Sequence, residues 1–510
     1  MRKWLKKLSV LLLAICILLF LFLLFERVRG QIALARFISE IKANGETVSP
    51  ADFNFTVSRG ENGVPAIVQA VGQLKPGAIL PDGVPQKMRL LPSGHAVVGF
   101  REEERAFEKE TNSWAALAFE WDANQPALRQ IRDALERPVL RSELDYSLGY
   151  NLLIPNLSSC KKLVIYFGAG SQYFLHNGRN REALDCLLTQ IRLPHMIESD
   201  RLAISELVRI AVISFVKSAT WEALQSEGWT DADLQKLQAA WESHQFINSA
   251  VAGFQGELVY EGASYKLLRN SNDDAFKVLF TWRNIFGDDS WEPPEWERQM
   301  SNLPFGNDIV KFLQKQIFCR VWRFAWSHQH ELRSARQIYE LLEITRSLAK
   351  THSFISLNAA LEQFTKEAER RTVYDAWRFP DTPSYLVLAK LINKSARAQV
   401  ECSATICAIA LLRFALRNGK YPDSLEFLVP SFLPAVPIDY FDGRAMKYFL
   451  NSDGRFTLYS VGEDGKDDHG DGSLNSGKIG RSVWDRKDAI WPTPATSEEV
   501  AVFRKTKSED

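Results

Sequence analysis

The chain lacks an excess of charge of either sign. Its 510 residues include 62 lysines and arginines against 62 aspartates and glutamates, and no basic block occurs beyond the first seven residues. Proteins that bind nucleic acid by neutralising phosphates carry a basic patch or stripe. The charge pattern therefore argues against nucleic acid as a partner.

Cysteine is also scarce. Of the six cysteines, Cys16 lies in an apolar run, which leaves five elsewhere, an odd number that cannot all pair within one chain. Cys402 and Cys407 are five positions apart on a predicted helix and so point in different directions. The sequence excludes a disulfide-stapled scaffold and predicts that these two residues are buried, free thiols.

Recognisable catalytic motifs are absent as well. The sequence contains no His-Glu-x-x-His, Gly-x-Ser-x-Gly, phosphate-loop or dinucleotide glycine pattern. The stretch Gly168-Ala169-Gly170-Ser171 lacks the remaining residues of a phosphate loop, and we expect a turn between helices there. His328 and His330 could begin a zinc site on a strand, but the surrounding helical pattern predicts that they face solvent or cap a helix.

The most conspicuous feature that is present is the apolar run from Leu8 to Phe25, in which Ser9 is the only polar residue. As a helix rising about 1.5 Å per residue, the run nearly matches the hydrocarbon thickness of a bilayer. Basic residues before it favour a cytoplasmic N-terminus. We expect an uncleaved anchor in the lipid bilayer with the bulk of the chain exported; a cleaved signal peptide, with Ala33 and Ala35 as its small-x-small pair, is the alternative.

Beyond the anchor the pattern is mainly helical. Apolar residues at helical spacing reach Asn44-Gly45, so the anchor should continue outward as one rod. Prolines and glycines between Val48 and Pro92 predict short helices and irregular connections, followed by a strand at Ala96 to Phe100. Helical periodicity then dominates from Trp114 to Arg417. A predicted core-facing stripe within it consists of Val310, Leu313, Ile317, Val321 and Phe324, widened by Phe318, Trp322 and Ala325.

The C-terminal part changes character. The segment Ser395 to Arg417 is predicted as the last long helix, closed by Asn418-Gly419. Asp423 and Glu426 stand at capping-box spacing and predict a short helix. Two alternating runs, at 447–450 and 456–459, flank Ser452-Asp453-Gly454 and predict a β-hairpin.

These elements define four predicted regions of a mainly α protein. Residues 1–26 are a cytoplasmic tip and transmembrane anchor, and residues 27–394 form a large, mostly helical ectodomain. Residues 395–492 form a small α+β module, and residues 493–510 are a polar tail that we expect to be disordered. Internal breaks are expected at Pro293-Pro294 and between Pro380 and Pro383.

An acidic loop follows the predicted hairpin. Its glycine-punctuated sequence crowds together hard oxygen donors that suit a calcium-sized cation. The acids are Glu463, Asp464, Asp467, Asp468 and Asp471. The loop is not an EF-hand, because Lys478 occupies the position that needs a bidentate glutamate. A solvated surface loop without metal is the alternative reading.

The order of long helix, Asn-Gly-Lys-Tyr-Pro, short helix, hairpin and Tyr-Ser-Val-Gly-Glu-Asp-Gly resembles the C-terminal part of the major pseudopilin of type II secretion systems. In that family the loop after the hairpin holds calcium, so the resemblance implies a structural calcium ion here. It also implies a closing strand at Asp488-Ala489-Ile490. No prepilin-peptidase site precedes the apolar run, so we do not expect the chain to be processed or polymerised as a pilin.

The predicted calcium ligands combine this resemblance with the chemistry of the loop. Asp464 and Asp467 are the leading ligands, supported by the backbone carbonyl of Ser460, because calcium takes several convergent oxygens. Asp468, Asp471 and Asp488 are the second choices.

The whole chain also resembles a set of large bacterial membrane-anchored proteins that carry such a tail on a helical ectodomain. Segments such as Ile204 to Ala211 and Leu234 to Gln238 carry this second resemblance. It implies a single-pass protein of the bacterial inner membrane, with its N-terminus in the cytoplasm and its bulk in the periplasm.

Three functions follow as hypotheses. The leading one is a membrane-anchored extracytoplasmic scaffold or binding protein without an evident catalytic group, which engages another protein of the envelope. The second is an exported hydrolase, which a deep pocket in the helical ectodomain holding at least two ionisable groups with strongly shifted pKa values would favour. The third is a component that interacts with type II secretion or pilus machinery.

Overall fold

The computed structural model is mainly helical, as predicted, with small antiparallel sheets. It describes residues 2–53, 57–58, 60–80, 88–106, 111–281, 295–302, 305–370, 372–379, 384–480 and 482–509.

The elements are numbered in chain order. The helices are α1 (Arg2–Ala43), α2 (Val64–Val71), α3 (Trp114–Ala123), α4 (Gln125–Leu135), α5 (Asn156–His176), α6 (Asn180–Arg192), α7 (His195–Glu198), α8 (Ala203–Ala223), α9 (Asp231–Glu242), α10 (Phe246–Leu268), α11 (Asn272–Phe276), α12 (Glu295–Ser301), α13 (Gly306–Phe312), α14 (Cys319–Val321), α15 (Ser327–Thr351), α16 (Asn358–Glu369), α17 (Val373–Arg378), α18 (Ser384–Asn418) and α19 (Ser497–Glu509). The strands are β1 (Glu104–Ala106), β2 (Thr111–Ser113), β3 (Ile438–Asp439), β4 (Arg444–Ala445), β5 (Lys447–Leu450), β6 (Phe456–Ser460) and β7 (Ala489–Ile490).

The apolar run and the predicted helix that follows it form one continuous helix, α1, as predicted. The helix ends where Gly45 adopts a φ of +90°, a backbone conformation that glycine reaches without strain. Its most apolar stretch is wholly exposed and is apolar enough to span a membrane. α18 is also long and apolar, but most of its apolar window is buried in the core.

The core of the ectodomain is built by long helices that pack on one another. α5 packs on α6 and α8, α10 packs on α15, and α18 packs on α8 and α9. Cys402 and Cys407 on α18 are free and buried in this core, as predicted. Trp121, Trp221 and Trp241 are buried in this core as well.

The predicted turn at residues 168–171 is wrong, because these residues lie inside α5. The glycines serve packing instead of chain reversal: a Cβ at Gly170 would collide with the ring of Trp121, and one at Gly168 would lie 2.5 Å from the amide nitrogen of Gln190. Small residues here let α5 approach α3 and α6 closely.

The predicted core stripe from Val310 to Phe324 is also wrong in part. Val310, Trp322 and Ala325 are buried as predicted, but Ile317 is 54% exposed, and Cys319, which lay outside the predicted stripe, is buried. Two π-helical segments, Leu313–Phe318 and Trp322–Trp326, interrupt the α-helical pattern. In a π-helical segment the backbone hydrogen bonds join residues i and i+5, so each residue turns through a smaller angle about the helix axis than in an α-helix. The apolar stripe therefore shifts around the helix.

The C-terminal module contains the predicted hairpin. β5 and β6 pair antiparallel with Lys447 opposite Tyr459, and β7 completes a three-stranded sheet on the other side of β6. The last long helix, α18, starts at Ser384, earlier than predicted, and ends at Asn418. The next residue, Gly419, has a φ of +73°. The short helix is a 3-10 helix, Leu425–Leu428, whose N-cap is Ser424, so the predicted capping box from Asp423 is wrong.

The predicted disordered tail is wrong, because α19 occupies most of it. Glu499 of α19 hydrogen-bonds to the ring of His95, and Arg504 pairs with Glu102 at 2.8 Å. The tail therefore docks on the segment near residue 96. There the expected strand is replaced by isolated bridges at Ala96 and a 3-10 helix, Gly99–Arg101.

The expected breaks at Pro293-Pro294 and between Pro380 and Pro383 fall outside the described residues.

Candidate functional site

The acidic loop begins where β6 ends and returns to the sheet at β7. Its turns use Gly462, Gly465 and Gly470, which all have φ values between +70° and +77°. The loop closes on Asp488, whose side chain is fully buried immediately before β7. One carboxylate oxygen of Asp488 accepts the N–H groups of Gly470 at 2.8 Å and Asp471 at 3.1 Å, and the other accepts that of Asp468 at 3.4 Å.

The leading predicted ligands have different environments. Asp464 is exposed, and its Oδ1 accepts the N–H of Lys466 at 3.1 Å. Asp467 accepts the hydroxyl of Tyr459 at 2.9 Å and the N–H of His469 at 3.0 Å. The buried hydroxyl of Ser460 accepts the N–H of Gly462. The two leading carboxylates, Asp464 and Asp467, thus have hydrogen-bond donors from the protein itself.

Asp471 and Asp488 differ in their electrostatics. The ammonium of Lys487, 2.7 Å away, and the N–H of Ser473 lower the pKa of Asp471 to about 2. Burial raises the pKa of Asp488, partly offset by its three N–H donors, and the charge of Asp467 raises it further. The negative charge of Asp467 therefore disfavours the ionised form of Asp488.

The arrangement of the loop's side chains decides whether a metal ion fits. Within the part of the chain that the structure describes, no group of three or more His, Cys, Asp or Glu side chains is arranged to hold one. The loop is closed by its own hydrogen bonds and by Lys487. Calcium binding therefore stays a prediction.

Glu463 has a role that the sequence did not reveal. Its carboxylate contacts the amide of Asn393 at 2.6 Å and the guanidinium of Arg397 at 2.7 Å. Both partners lie on α18, so Glu463 fastens the start of the acidic loop to the helix that enters the core.

A second candidate site is a cavity of about 560 Å³ beside the anchor. It lies between α1, α15, α16 and α17, and its charged side chains are mostly cationic. Its charged lining consists of Arg29, Arg333, Arg336, Arg370, Arg378, Glu340 and Glu367. Arg333, Arg336 and Arg370 form no salt bridge within the described residues.

The base of this arginine-lined cavity is a buried polar network around Glu26. Arg29 donates to the Glu26 carboxylate at 2.8 Å, Gln329 at 3.1 Å and Tyr374 at 3.2 Å. The Gln329 side-chain oxygen in turn accepts from Arg29 and Arg378. The network joins the anchor helix to α15 and α17, so α1 is built into the ectodomain where its apolar run ends.

The cavity holds a pair of carboxylates as well. Burial, and then the charge of Glu367, raise the pKa of Glu340. A smaller apolar cavity against the C-terminal module has a volume of about 30 Å³, which suits little more than one water molecule.

The prediction for the histidine pair is wrong for His330. This side chain is buried, and its ring lies edge-on to the rings of Tyr265 and Trp322, at 5.2 and 5.8 Å between centroids. Burial, with the nearby charges of Arg269 and Arg27, lowers the pKa of His328 to about 4. Neither residue belongs to a metal-holding group among the residues described.

Comparison of the chain with protein-family models, with curated proteins and with solved structures finds no match to any of them.

Proposed function

We propose that the chain is a membrane-anchored extracytoplasmic binding or scaffold protein, held by Leu8 to Phe25 in the bacterial inner membrane. The arginine-lined cavity is its binding region, and its partner is an envelope protein that presents an acidic segment. The observation that carries this proposal is the excess of five arginines over two glutamates in one cavity beside the anchor. Guanidinium groups bind carboxylates through paired hydrogen bonds.

Three of these arginines are available to a partner. Arg333 donates to the carbonyl of Ala368 at 3.2 Å, and Arg336 lies over the ring of Phe37 at 5.6 Å, but neither is paired with a carboxylate. Arg370 is exposed at the end of α16. Neutralising all three should therefore weaken binding without breaking an internal ion pair.

The test uses the full chain in lipid nanodiscs and a fluorescent oligoglutamate peptide as the probe. We expect salt-sensitive binding that weakens about 3- to 150-fold when Arg333, Arg336 and Arg370 are replaced by Gln, since three partly exposed pairs at about 0.2–1 kcal/mol each sum to about 0.6–3 kcal/mol. The control variant replaces Arg129, Arg181 and Arg444, which lie outside the cavity, by Gln. Equal binding by both triple variants would contradict the proposal.

The cavity also keeps the hydrolase as a second candidate, because Glu340 and Glu367 form a carboxylate pair in which one pKa is raised. If Glu340 acts as a general acid, Glu340→Gln removes its acidic proton but preserves the shape of the side chain. Hydrolysis of a panel of chromogenic esters, phosphates and glycosides by the wild type, lost in this variant, would favour the enzyme. No turnover by either protein would favour binding alone.

Calcium is retained as a proposed structural ion of the acidic loop. Its support is the repulsion between Asp467 and Asp488, which a divalent cation would relieve. A ligand that binds only the native state raises the melting temperature. We expect calcium to raise that of the wild type but not of Asp464→Ala or Asp467→Ala, with the hairpin variant Asp453→Ala as control. If wild type does not respond, or the variants respond equally, the site is wrong.

Docking onto type II secretion or pilus machinery stays the third proposal. Its support is the order of α18, the hairpin and β7, which is the order that the resemblance to pseudopilins implied. Copurification of secretion components with the full chain, lost after deletion of residues 447–490, would support it. A chain that recovers no such component would count against it.

A further inference from the structure

A row of large apolar side chains is exposed around α13 and the π segment that continues it. Phe305 is 82% exposed, Phe312 60%, Ile317 54% and Ile309 43%. Ile309 and Phe312 lie three residues apart on α13 and so share a helical face, and Phe305 immediately precedes the helix as its N-cap residue, with a φ of +61°. Neither the anchor nor the arginine-lined cavity accounts for this surface, which we call the apolar ridge (Phe305, Ile309, Phe312 and Ile317).

The same chain segment touches the anchor. The ring of Phe324 stacks on that of Phe20 with 6.1 Å between centroids, and the guanidinium of Arg27 lies 5.0 Å from the Phe324 ring. Leu23 packs against the small core around Trp322. The ectodomain therefore contacts α1 inside the apolar run.

This contact sets the position of Phe324 along the apolar run. Phe20 lies five residues before Phe25, the end of the apolar run, which is about 7.5 Å along a helix that rises 1.5 Å per residue. Interfacial amphipathic helices bury their apolar face by about 5–10 Å at the boundary of headgroups and acyl chains. If the run crosses the bilayer, the segment carrying Phe324 is within that layer.

The charge of the segment suits a lipid surface. Between Gly306 and Trp326 the bases are Lys311, Lys315, Arg320 and Arg323, against the single acid Asp308. Lys311 and Arg320 are exposed. Basic residues next to an apolar face are typical of helices that bind anionic phospholipid surfaces.

We propose that the apolar ridge is a second membrane contact, seated in the leaflet on the side of the ectodomain. The occupant of this surface is the lipid bilayer itself, and the inference rests on the proposed anchor. α1 crosses the membrane, while Phe305 to Ile317 lies in the interface and holds the ectodomain, with its arginine-lined cavity, against the headgroups.

The test places an environment-sensitive fluorophore on the ridge of the full chain. A nitrobenzoxadiazole label is attached to Phe312→Cys in a Cys16→Ser background. The remaining cysteines are buried, and burial raises the pKa of Cys319 to about 12, so they react slowly with the label. The protein is reconstituted in vesicles of phosphatidylcholine and phosphatidylglycerol, with and without acyl-chain nitroxide lipids.

The control variants are Phe119→Cys on α3, which is 80% exposed, and the native Cys16 within the anchor. We expect a blue-shifted emission and loss of most of the fluorescence to the nitroxide lipids at positions 312 and 16, but not at position 119. Quenching at 16 without quenching at 312 would overturn the ridge proposal and leave the anchor standing. A blue shift at 312 without quenching would also overturn it, because protein instead of lipid would then cover the ridge. No quenching at 16 would overturn the anchor and with it the ridge.

Discussion

Asp488 is the residue whose loss should open the acidic loop. Its buried carboxylate accepts two close N–H groups, from Gly470 at 2.8 Å and Asp471 at 3.1 Å, and one longer contact from Asp468. An unsatisfied buried donor costs about 1–3 kcal/mol. Because the loop is partly exposed, water can reach some of these donors, so Asp488→Ala should cost the closed loop about 2–4 kcal/mol.

The assay is hydrogen exchange of the peptides between residues 466 and 490, which reports local opening. A loss of about 2–4 kcal/mol raises the open fraction roughly 30- to 1,000-fold, since 1.36 kcal/mol corresponds to a factor of ten. Asp464→Ala removes one exposed local hydrogen bond and should leave exchange nearly unchanged.

The comparison is made without calcium and with it. Exchange in Asp488→Ala that equals the wild type would refute the closing role of this carboxylate. If Asp464→Ala exchanged as fast as Asp488→Ala, the closing role would also be refuted. The main closing contact would then be at Asp464, one of the predicted calcium ligands.

Two further predictions concern the ectodomain. Burial raises the pKa of Glu257 to about 7, while its carboxylate accepts the N–H of Ala203 at 2.8 Å. Because the folded-state pKa of this carboxyl lies above its unfolded-state pKa, its contribution to stability is fully present below the unfolded-state pKa and is lost as the pH rises through 7. Glu257→Gln, which cannot ionise, should therefore be more stable than wild type at pH 8, by up to about 3 kcal/mol, and similar to it at pH 5. Denaturant titrations at both pH values check this, and an unchanged difference between them would contradict it. Gly170→Ala, which forces a methyl into the ring of Trp121, should cost about 1–3 kcal/mol, whereas Gly60→Ala, with open space around it, should be near neutral. Equal melting temperatures of the two variants would contradict the packing role of Gly170.

The sequence predicted elements whose cause is local. The apolar run and the helical spacing up to Asn44 predicted α1, and the alternation around Asp453 predicted the hairpin, since side-chain period and turn residues are properties of neighbouring residues. The free buried thiols of α18 followed in the same way from a helical pattern rich in apolar residues.

The features that the sequence did not predict depend on distant contacts. The partner that explains Gly170 is Trp121 on another helix, and the tail forms α19 where His95 and Glu102 contact it. The π segments shift the helical period itself, so a stripe drawn at 3.6 residues per turn failed at Ile317.

The two candidate sites differ in the same way: the acidic loop is local in sequence, and the arginine-lined cavity depends on distant contacts. Local composition identified the acidic loop, and the resemblance to pseudopilins added Asp488, but neither predicted that three backbone N–H groups donate to its carboxylate. The arginine-lined cavity brings Arg29 on α1 against the consecutive helices α15, α16 and α17, about 300 residues later, so no local motif predicts it. The cavity depends on the packing of α1 on α15, where the absence of a side chain at Gly30 leaves room for Gln329.

The central claim is a single membrane crossing with the ectodomain on the outer side. The most direct measurement labels Trp4→Cys, 68% exposed before the apolar run, and Leu153→Cys, 80% exposed on the ectodomain, each in a Cys16→Ser background. A membrane-impermeant maleimide is applied to intact spheroplasts and then to lysed ones. The account predicts labelling of position 153 in intact spheroplasts and of position 4 only after lysis. The reverse order, or recovery of the chain in the soluble fraction, would contradict it.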